Sequence, residues 1–266
     1  MKTRIISAIV MLIGAGTILY LGGWYWTILS ALLAVGGTWE LLRIRETKKE
    51  FPKFMKIFTY IMVLLMLFSN VLEASLHFVI DDSIMSIFFL LFLLPLVFIN
   101  DNEKYNITDA FYLIGTVVFL GLAFNLFVEF RNLDVSYILY VALITIMSDT
   151  FAYFTGYFVG KTKLCEKISP KKTVEGLVGG TIMGTIIPSL YYIVVINPEV
   201  NIILIVVITF LLSLVGQCGD LVFSSIKRYY GKKDYSNMIP GHGGILDRLD
   251  SILFVILAFS VIMGLL

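Results

Sequence analysis

Three aspartates near the C-terminal end stand among basic residues, and their types and spacing suit phosphate chemistry. The first, Asp220, lies in Gln217-Cys218-Gly219-Asp220-Leu221-Val222-Phe223-Ser224-Ser225-Ile226-Lys227-Arg228. On a helix Asp220, Ser224 and Lys227 or Arg228 fall at i, i+4 and i+7 or i+8, which puts a carboxylate, a hydroxyl and cations on one face. A simple Asp–Lys interfacial pair would explain these charges but not their continuation through Lys232, Lys233 and Asp234 to Asp247-Arg248-Leu249-Asp250. Between them Pro240, Gly241, Gly243 and Gly244 interrupt regular structure and let the backbone approach a ligand closely. A last helix is expected from near Ile245, with Asp247 and Asp250 at i and i+3 of its first turns. Carboxylates there can merely complement the helix dipole. Two of them, with Asp220 on a neighbouring helix, are better explained as oxygen ligands for a hard cation such as Mg²⁺, which takes one or two carboxylates and phosphate oxygens of a substrate. Lys227, Arg228, Lys232, Lys233 and Arg248 would neutralise the remaining phosphate charge. The set fits phosphoryl or nucleotidyl transfer, where catalysis is chiefly positioning and electrostatics.

A second group precedes it. Asp149 interrupts an apolar stretch in Ile146-Met147-Ser148-Asp149-Thr150, where a charge is costly enough to require a partner or a task. It is a site candidate, and equally an interhelical hydrogen-bonding residue. The segment 160–173 follows, carrying Lys161, Lys163, Lys167, Lys171 and Lys172 among Gly, Ser and Thr. Alone it would read as topogenic charge; directly after Asp149 it suits a polyanionic headgroup or triphosphate. Segment 43–56 reads as topogenic lysine and arginine at an anionic membrane face. Glu40, near Arg43, reads as an interfacial carboxylate with a basic neighbour. Of the two histidines, His77 reads as an ordinary interfacial residue, while His242, flanked by glycines amid cations, suits a phosphate contact, acid/base work or loop fixing. No G-x-x-x-x-G-K-[ST] run supports a P-loop, and Cys165 and Cys218 suggest neither a disulfide framework nor a thiolate zinc site.

The elements that must hold these groups are apolar. Of 266 residues 59% are hydrophobic and 15% charged, and the mean hydropathy is +0.93, far from a soluble domain. About 20 apolar residues cross a bilayer as a helix, and nine candidates stand at roughly 5–21, 24–42, 57–73, 83–100, 110–128, 136–159, 174–196, 201–223 and 245–266. The expectation is an all-α polytopic membrane protein. A cleaved leader is not expected, because the first run lacks a small-x-small end and further spans follow. With a cytoplasmic N-terminus and the C-terminus outside, 19 of the 20 Lys and Arg residues fall inside and Arg131 alone outside, the pattern of the positive-inside rule. The outside loops carry Glu73, Asp81, Asp82, Glu129, Asp134 and Glu199. Residues 1–135 are expected to form N-terminal membrane helices. Residues 136–266 are expected to form a catalytic membrane region with cytoplasmic loops 160–173 and 224–248. Gly176, Gly179, Gly180 and Gly184 permit close helix packing within a subunit or between two, so a homodimer is compatible with them.

Taken together, the residues form a recognisable pattern: Ser224-x-x-Lys227-Arg228, then Lys233-Asp234, then Pro240-x-His242-Gly243-Gly244-x-x-Asp247-Arg248-x-Asp250. This resembles the signature of the phosphatidate cytidylyltransferase (CDP-diacylglycerol synthase) family. Ser148-Asp149-Thr150-x-Ala152-Tyr153, Gly160-Lys161 and Ser169-Pro170-Lys171-Lys172-Thr173-x-Glu175-Gly176 resemble it too. The resemblance covers roughly the C-terminal half. It implies CTP and phosphatidic acid as substrates, diphosphate as co-product and Mg²⁺ dependence in the cell membrane, with no nucleic-acid partner. It also implies that Asp220, Asp247 and Asp250 occupy metal-binding positions, where K⁺ is the expected second cation. Lys227, Arg228 and Arg248 then join these aspartates as catalytic candidates. Asp149, Lys161, Lys171, Lys172, Ser224, Lys233, Asp234 and His242 become substrate-binding candidates. A CTP-dependent lipid kinase and a transporter are the rivals; the polar groups gather at one face rather than through the bilayer depth, which disfavours the transporter.

Overall fold

Long apolar runs separated by short polar loops become helices, because a backbone surrounded by apolar groups has only itself to hydrogen-bond with. The computed structural model describes residues 2–76, 82–99 and 101–263; His77 and Asp81 lie outside them. The helices are α1 (Lys2–Leu21), α2 (Gly23–Glu46), α3 (Lys53–Leu67), α4 (Ser69–Leu76), α5 (Asp82–Leu93), α6 (Pro95–Ile99) and α7 (Ile107–Leu133), followed by α8 (Val135–Phe158), α9 (Val174–Tyr191), α10 (Ile202–Tyr229) and α11 (Leu246–Met263). A π-helical turn, Tyr192–Ile196, extends α9. Among the described residues five helical segments are long and apolar enough to cross a membrane: Gly23–Glu46, Ile107–Leu133, Val135–Phe158, Val174–Ile196 and Ile202–Tyr229. The segments expected at 57–73 and 83–100 are each broken, the first at Phe68 and the second at Leu94, just before Pro95, whose ring cannot continue an existing turn.

Side chains are arranged for an apolar solvent. Leu12, Val97, Phe98 and Val194 are exposed, whereas Ser30, Thr38, Thr209 and Ser213 are buried. Thr38 and Thr209 satisfy their hydroxyls on carbonyls one turn back, at Ala34 and Ile205, the usual solution for a hydroxyl in an apolar helix.

The described fold is helical as expected, with one small addition. Segment 160–173 contains an antiparallel hairpin, β1 (Lys163–Cys165) with β2 (Ser169–Thr173), pairing Lys163 with Thr173 and Cys165 with Ser169. The hairpin is pinned at its base, where the Lys161 and Thr162 backbone N–H groups donate to the Glu175 carboxylate and the Val174 N–H donates to the Thr162 carbonyl.

The chain divides into two compact units: Met1–Glu129 with Tyr235–Ile245, and Phe130–Asp234 with Leu246–Leu266. Segment 235–245, read from sequence as part of the C-terminal region, thus belongs with the N-terminal helices. In the first unit the Trp26 indole donates to the Phe127 carbonyl at 2.9 Å, and Tyr112 donates to the Leu41 carbonyl at 2.7 Å. Asp109, 1% exposed, holds Arg45 at 2.6 Å and Lys49 at 2.5 Å. Two of the cations read as topogenic are therefore structural. In the second unit α8, α9, α10 and α11 pack on one another. A Cβ at Gly180 would meet the Ser148 carbonyl and Ala152, and one at Gly184 would meet Ser148 and Ser213. The small-residue stripe of α9 is thus used inside the chain. The buried hydroxyls it lets approach, Ser148 and Ser213, bond at 2.7 Å.

Candidate active site

The second unit encloses a cavity of about 630 Å³ between α8, the hairpin, the start of α9 and α10. Each wall follows from local sequence. Gly156 and Gly160 leave room for Thr173 to lie against α8, and the Thr173 hydroxyl accepts from the Gly176 N–H at 3.1 Å, capping α9. This brings β2 against α8, so that Lys171 and Lys172 line the cavity with Lys163 and Asp149. Asp149 and Asp220 line the same cavity with Gln217, Tyr153 and Tyr157. Asp149 has an exposed side chain, and what it is exposed to is this cavity. Gln217 is fixed by donating to Thr181 at 2.9 Å.

Charge is concentrated here. The Lys172 ammonium lies 2.6 Å from Asp220, and Ser224 donates to the same carboxylate at 3.2 Å. Asp149, Asp220 and Asp250 lie close enough to repel one another, while Lys172 and Arg248 act favourably on Asp149 and Lys227 on Asp250. Lys227 and Asp247 form a separate ion pair at 2.6 Å, with side chains 8% and 2% exposed. The spacing argument held on α10, since Asp220, Ser224 and Lys227 do share a face. Asp247, the third of the expected metal-binding aspartates, carries the ion pair with Lys227, and Asp149 is a further carboxylate near Asp220 and Asp250.

Other candidates sit differently. Arg228 donates to the Ile168 carbonyl at 3.1 Å and the Lys232 carbonyl at 2.7 Å, tying the end of α10 to the hairpin. Lys161, Lys233 and Asp234 are exposed and lie outside the cavity wall. In the first unit His242 is held in its loop, its Nδ1 2.9 Å from the Ser7 hydroxyl, which also donates to the Pro240 carbonyl at 3.1 Å. That is the loop-fixing alternative. The residues missed by sequence reasoning as site residues are Lys163, Thr173, Tyr153, Tyr157 and Gln217. For Lys163 the signal was available, since it lies in the same basic segment, but Pro170 obscured the strand that turns it inward.

Among the described residues no three His, Cys, Asp or Glu side chains converge as a ready-made metal cage. Asp149, Asp220 and Asp250 are nevertheless neighbouring oxygen donors, and that chemistry suits Mg²⁺, which completes its shell with water and substrate phosphate. Lysines facing carboxylates across one cavity, on helices built for a membrane, define an integral membrane enzyme of the nucleotidyl- or phosphoryl-transfer type. Comparison with known proteins narrows this. A model of the cytidylyltransferase family matches residues 2–266, and the chain belongs to that family. It is 35% identical over 263 residues to the phosphatidate cytidylyltransferase of Staphylococcus saprophyticus, covering 99% of both chains. It is 34% identical over 262 residues to the protein of the same name from Bacillus subtilis, covering 96% of this chain and 94% of that one.

Proposed function

We propose that this chain is a CTP:phosphatidate cytidylyltransferase, moving CMP from CTP to phosphatidic acid to give CDP-diacylglycerol and diphosphate. The observation that carries the reading is the cavity in which Lys163, Lys171 and Lys172 face Asp149 and Asp220, in a chain whose full-length relatives carry that name. A phosphatidate phosphate oxygen attacks the α-phosphorus of CTP, the new P–O bond forms as the bond to the β-phosphate bridging oxygen breaks, and diphosphate leaves with the electron pair. The phosphate nucleophile is already ionised at neutral pH, so no strong base is needed. Lys163, Lys171 and Lys172 bind the triphosphate and balance charge developing on the leaving group. Asp220 and Asp250, with Asp149 beside them, would hold Mg²⁺, and K⁺ is the proposed second cation. When bound, the divalent ion supplies charge neutralisation between phosphate oxygens. Asp247 holds Lys227 in place, and Arg248 is the cation next in line for the substrate.

The proposed topology has nine spans, a cytoplasmic N-terminus and an outside C-terminus, in a cell membrane. It rests on the asymmetry that leaves Arg131 as the single basic residue outside. It lets the lipid arrive laterally from the bilayer and CTP from the cytosol, at one membrane edge.

The position of label in the products tests the reaction. CTP labelled at the α-phosphate should place label in lipid, and CTP labelled at the γ-phosphate should place it in diphosphate. Label from the γ-phosphate in lipid would mean a kinase instead.

A further inference from the structure

Glu40 is a charged-type side chain with 0% exposure on α2, far in sequence from every residue assigned above. Its expected neighbour is elsewhere: the Arg43 guanidinium lies over the Trp39 ring at 4.7 Å. Glu40 Oε1 instead accepts from the Ser236 hydroxyl at 2.5 Å and from the Ile245 backbone N–H at 2.9 Å. These donors stand at the two ends of segment 235–245, so one carboxylate oxygen closes the segment into a loop. Ser236 passes the connection on, since its hydroxyl accepts from the Met238 N–H at 3.1 Å. One turn earlier on the same face of α2, Gly36 leaves the space that the Ile245 side chain fills. Gly244 lies against the Glu40 carboxylate so closely that a side chain there would collide with it. Inside the loop Gly241 and Gly243 adopt φ of 78° and 86°, and Ile239 and Gly243 form an isolated antiparallel bridge.

We infer that Glu40 is a positioning residue: it anchors the Pro240-Gly241-His242-Gly243-Gly244 loop and so holds His242 and fixes Ile245, the residue immediately before α11 in the chain. A buried carboxylate in an apolar helix costs stability unless its acceptors are used, and two groups that use them, the Ser236 hydroxyl and the Ile245 N–H, belong to the loop segment. The two acceptor bonds cannot be supplied by water in a site with no exposure. Small displacements of site-bearing backbone can lower turnover by about 100-fold.

The effect on turnover rests on the cytidylyltransferase reading; the anchoring does not, so the test carries two readouts. Glu40→Gln, Glu40→Leu, Ser236→Ala and the Glu40→Leu/Ser236→Ala double variant are purified in detergent. Each is assayed for CMP transfer and for the rate of trypsin cleavage after the exposed Lys232 and Lys233. Glu40→Gln keeps an amide oxygen that can accept from both the Ile245 N–H and the Ser236 hydroxyl, so its kcat stays within about threefold of wild type and its cleavage is slow. Glu40→Leu loses roughly 10- to 100-fold in kcat, with KM for CTP moving less than about threefold, and is cut faster. The double variant is no slower than Glu40→Leu, because both changes remove one anchor. Wild-type kcat and wild-type cleavage in Glu40→Leu overturn the inference, as does a Glu40→Gln variant as damaged as Glu40→Leu. If Glu40→Leu does not fold, Ser236→Ala decides: faster cleavage supports the anchor, unchanged cleavage overturns it. A wild-type protein without CMP transfer counts against the reaction and leaves cleavage to judge the anchor.

Discussion

At the scale of single residues the site is a balance of fixed charges. Asp220 is tethered by Lys172 and Ser224, and it lies near the like charges of Asp149 and Asp250. Asp220→Asn or Asp250→Asn should therefore lower CMP transfer by roughly 100- to 1,000-fold while leaving the thermal midpoint unchanged or raised. A comparable loss of folded protein would instead make these carboxylates structural. The Lys227–Asp247 pair behaves oppositely. Removing one partner strands a buried charge at a cost of about 3–5 kcal/mol, so Lys227→Met should lower the unfolding midpoint sharply, and adding Asp247→Leu should restore much of it. Differential scanning fluorimetry of the single and double variants reads this directly. Sequence spacing revealed that Asp220, Ser224 and Lys227 share a face, because helix geometry alone decides it. It could not reveal that Asp247 is neutralised by Lys227, since that contact joins two helices whose approach depends on packing.

At the scale of elements, small residues decide what can approach what. Gly180 and Gly184 let α9 touch Ser148 and Ser213, and Gly156 with Gly160 lets the hairpin reach the cavity. Gly180→Leu should force α8 and α9 apart and cost about 1–3 kcal/mol or more, visible as a lower midpoint together with a raised KM for CTP. Unaltered values in both would show that this packing does not shape the cavity. Most helix boundaries were legible to within about six residues, since apolar runs and the polar break at 160–173 are local signals, whereas the breaks at Phe68 and Leu94 fell inside expected spans. The hairpin was not legible. Its strands are short and rich in lysine, and what orders them is Glu175 accepting from backbone N–H groups at the hairpin base. Glu40 was misjudged for a related reason: its partners Ser236 and Ile245 lie about 200 positions away in the chain, and proximity to Arg43 was the only local cue.

At the scale of the whole molecule the basic residues divide by side in the proposed topology. The basic residues of segments 43–56, 160–173 and 224–248 should all face the cytosol, where a charged nucleotide is available. In a protein with Cys165→Ser and Cys218→Ala, Glu166→Cys should react with a membrane-impermeant maleimide from the cytoplasmic face and Glu199→Cys from the opposite face, both positions being exposed. Labelling of both from one side would contradict the nine-span topology. Composition alone made the membrane class legible, and charge asymmetry made the orientation arguable, because both are summed over many residues and tolerate local error. The substrates were not legible from physics, which reaches only metal-assisted transfer between phosphates; family membership supplies the rest. The most direct test is made with the purified protein in detergent micelles containing phosphatidic acid, with CTP and Mg²⁺, measuring CDP-diacylglycerol and diphosphate together. The proposed reaction yields the two in equal amounts, stops on chelation of the metal, and is silent in Asp220→Asn. Release of CDP in place of diphosphate, or no nucleotide in the lipid at all, would contradict it.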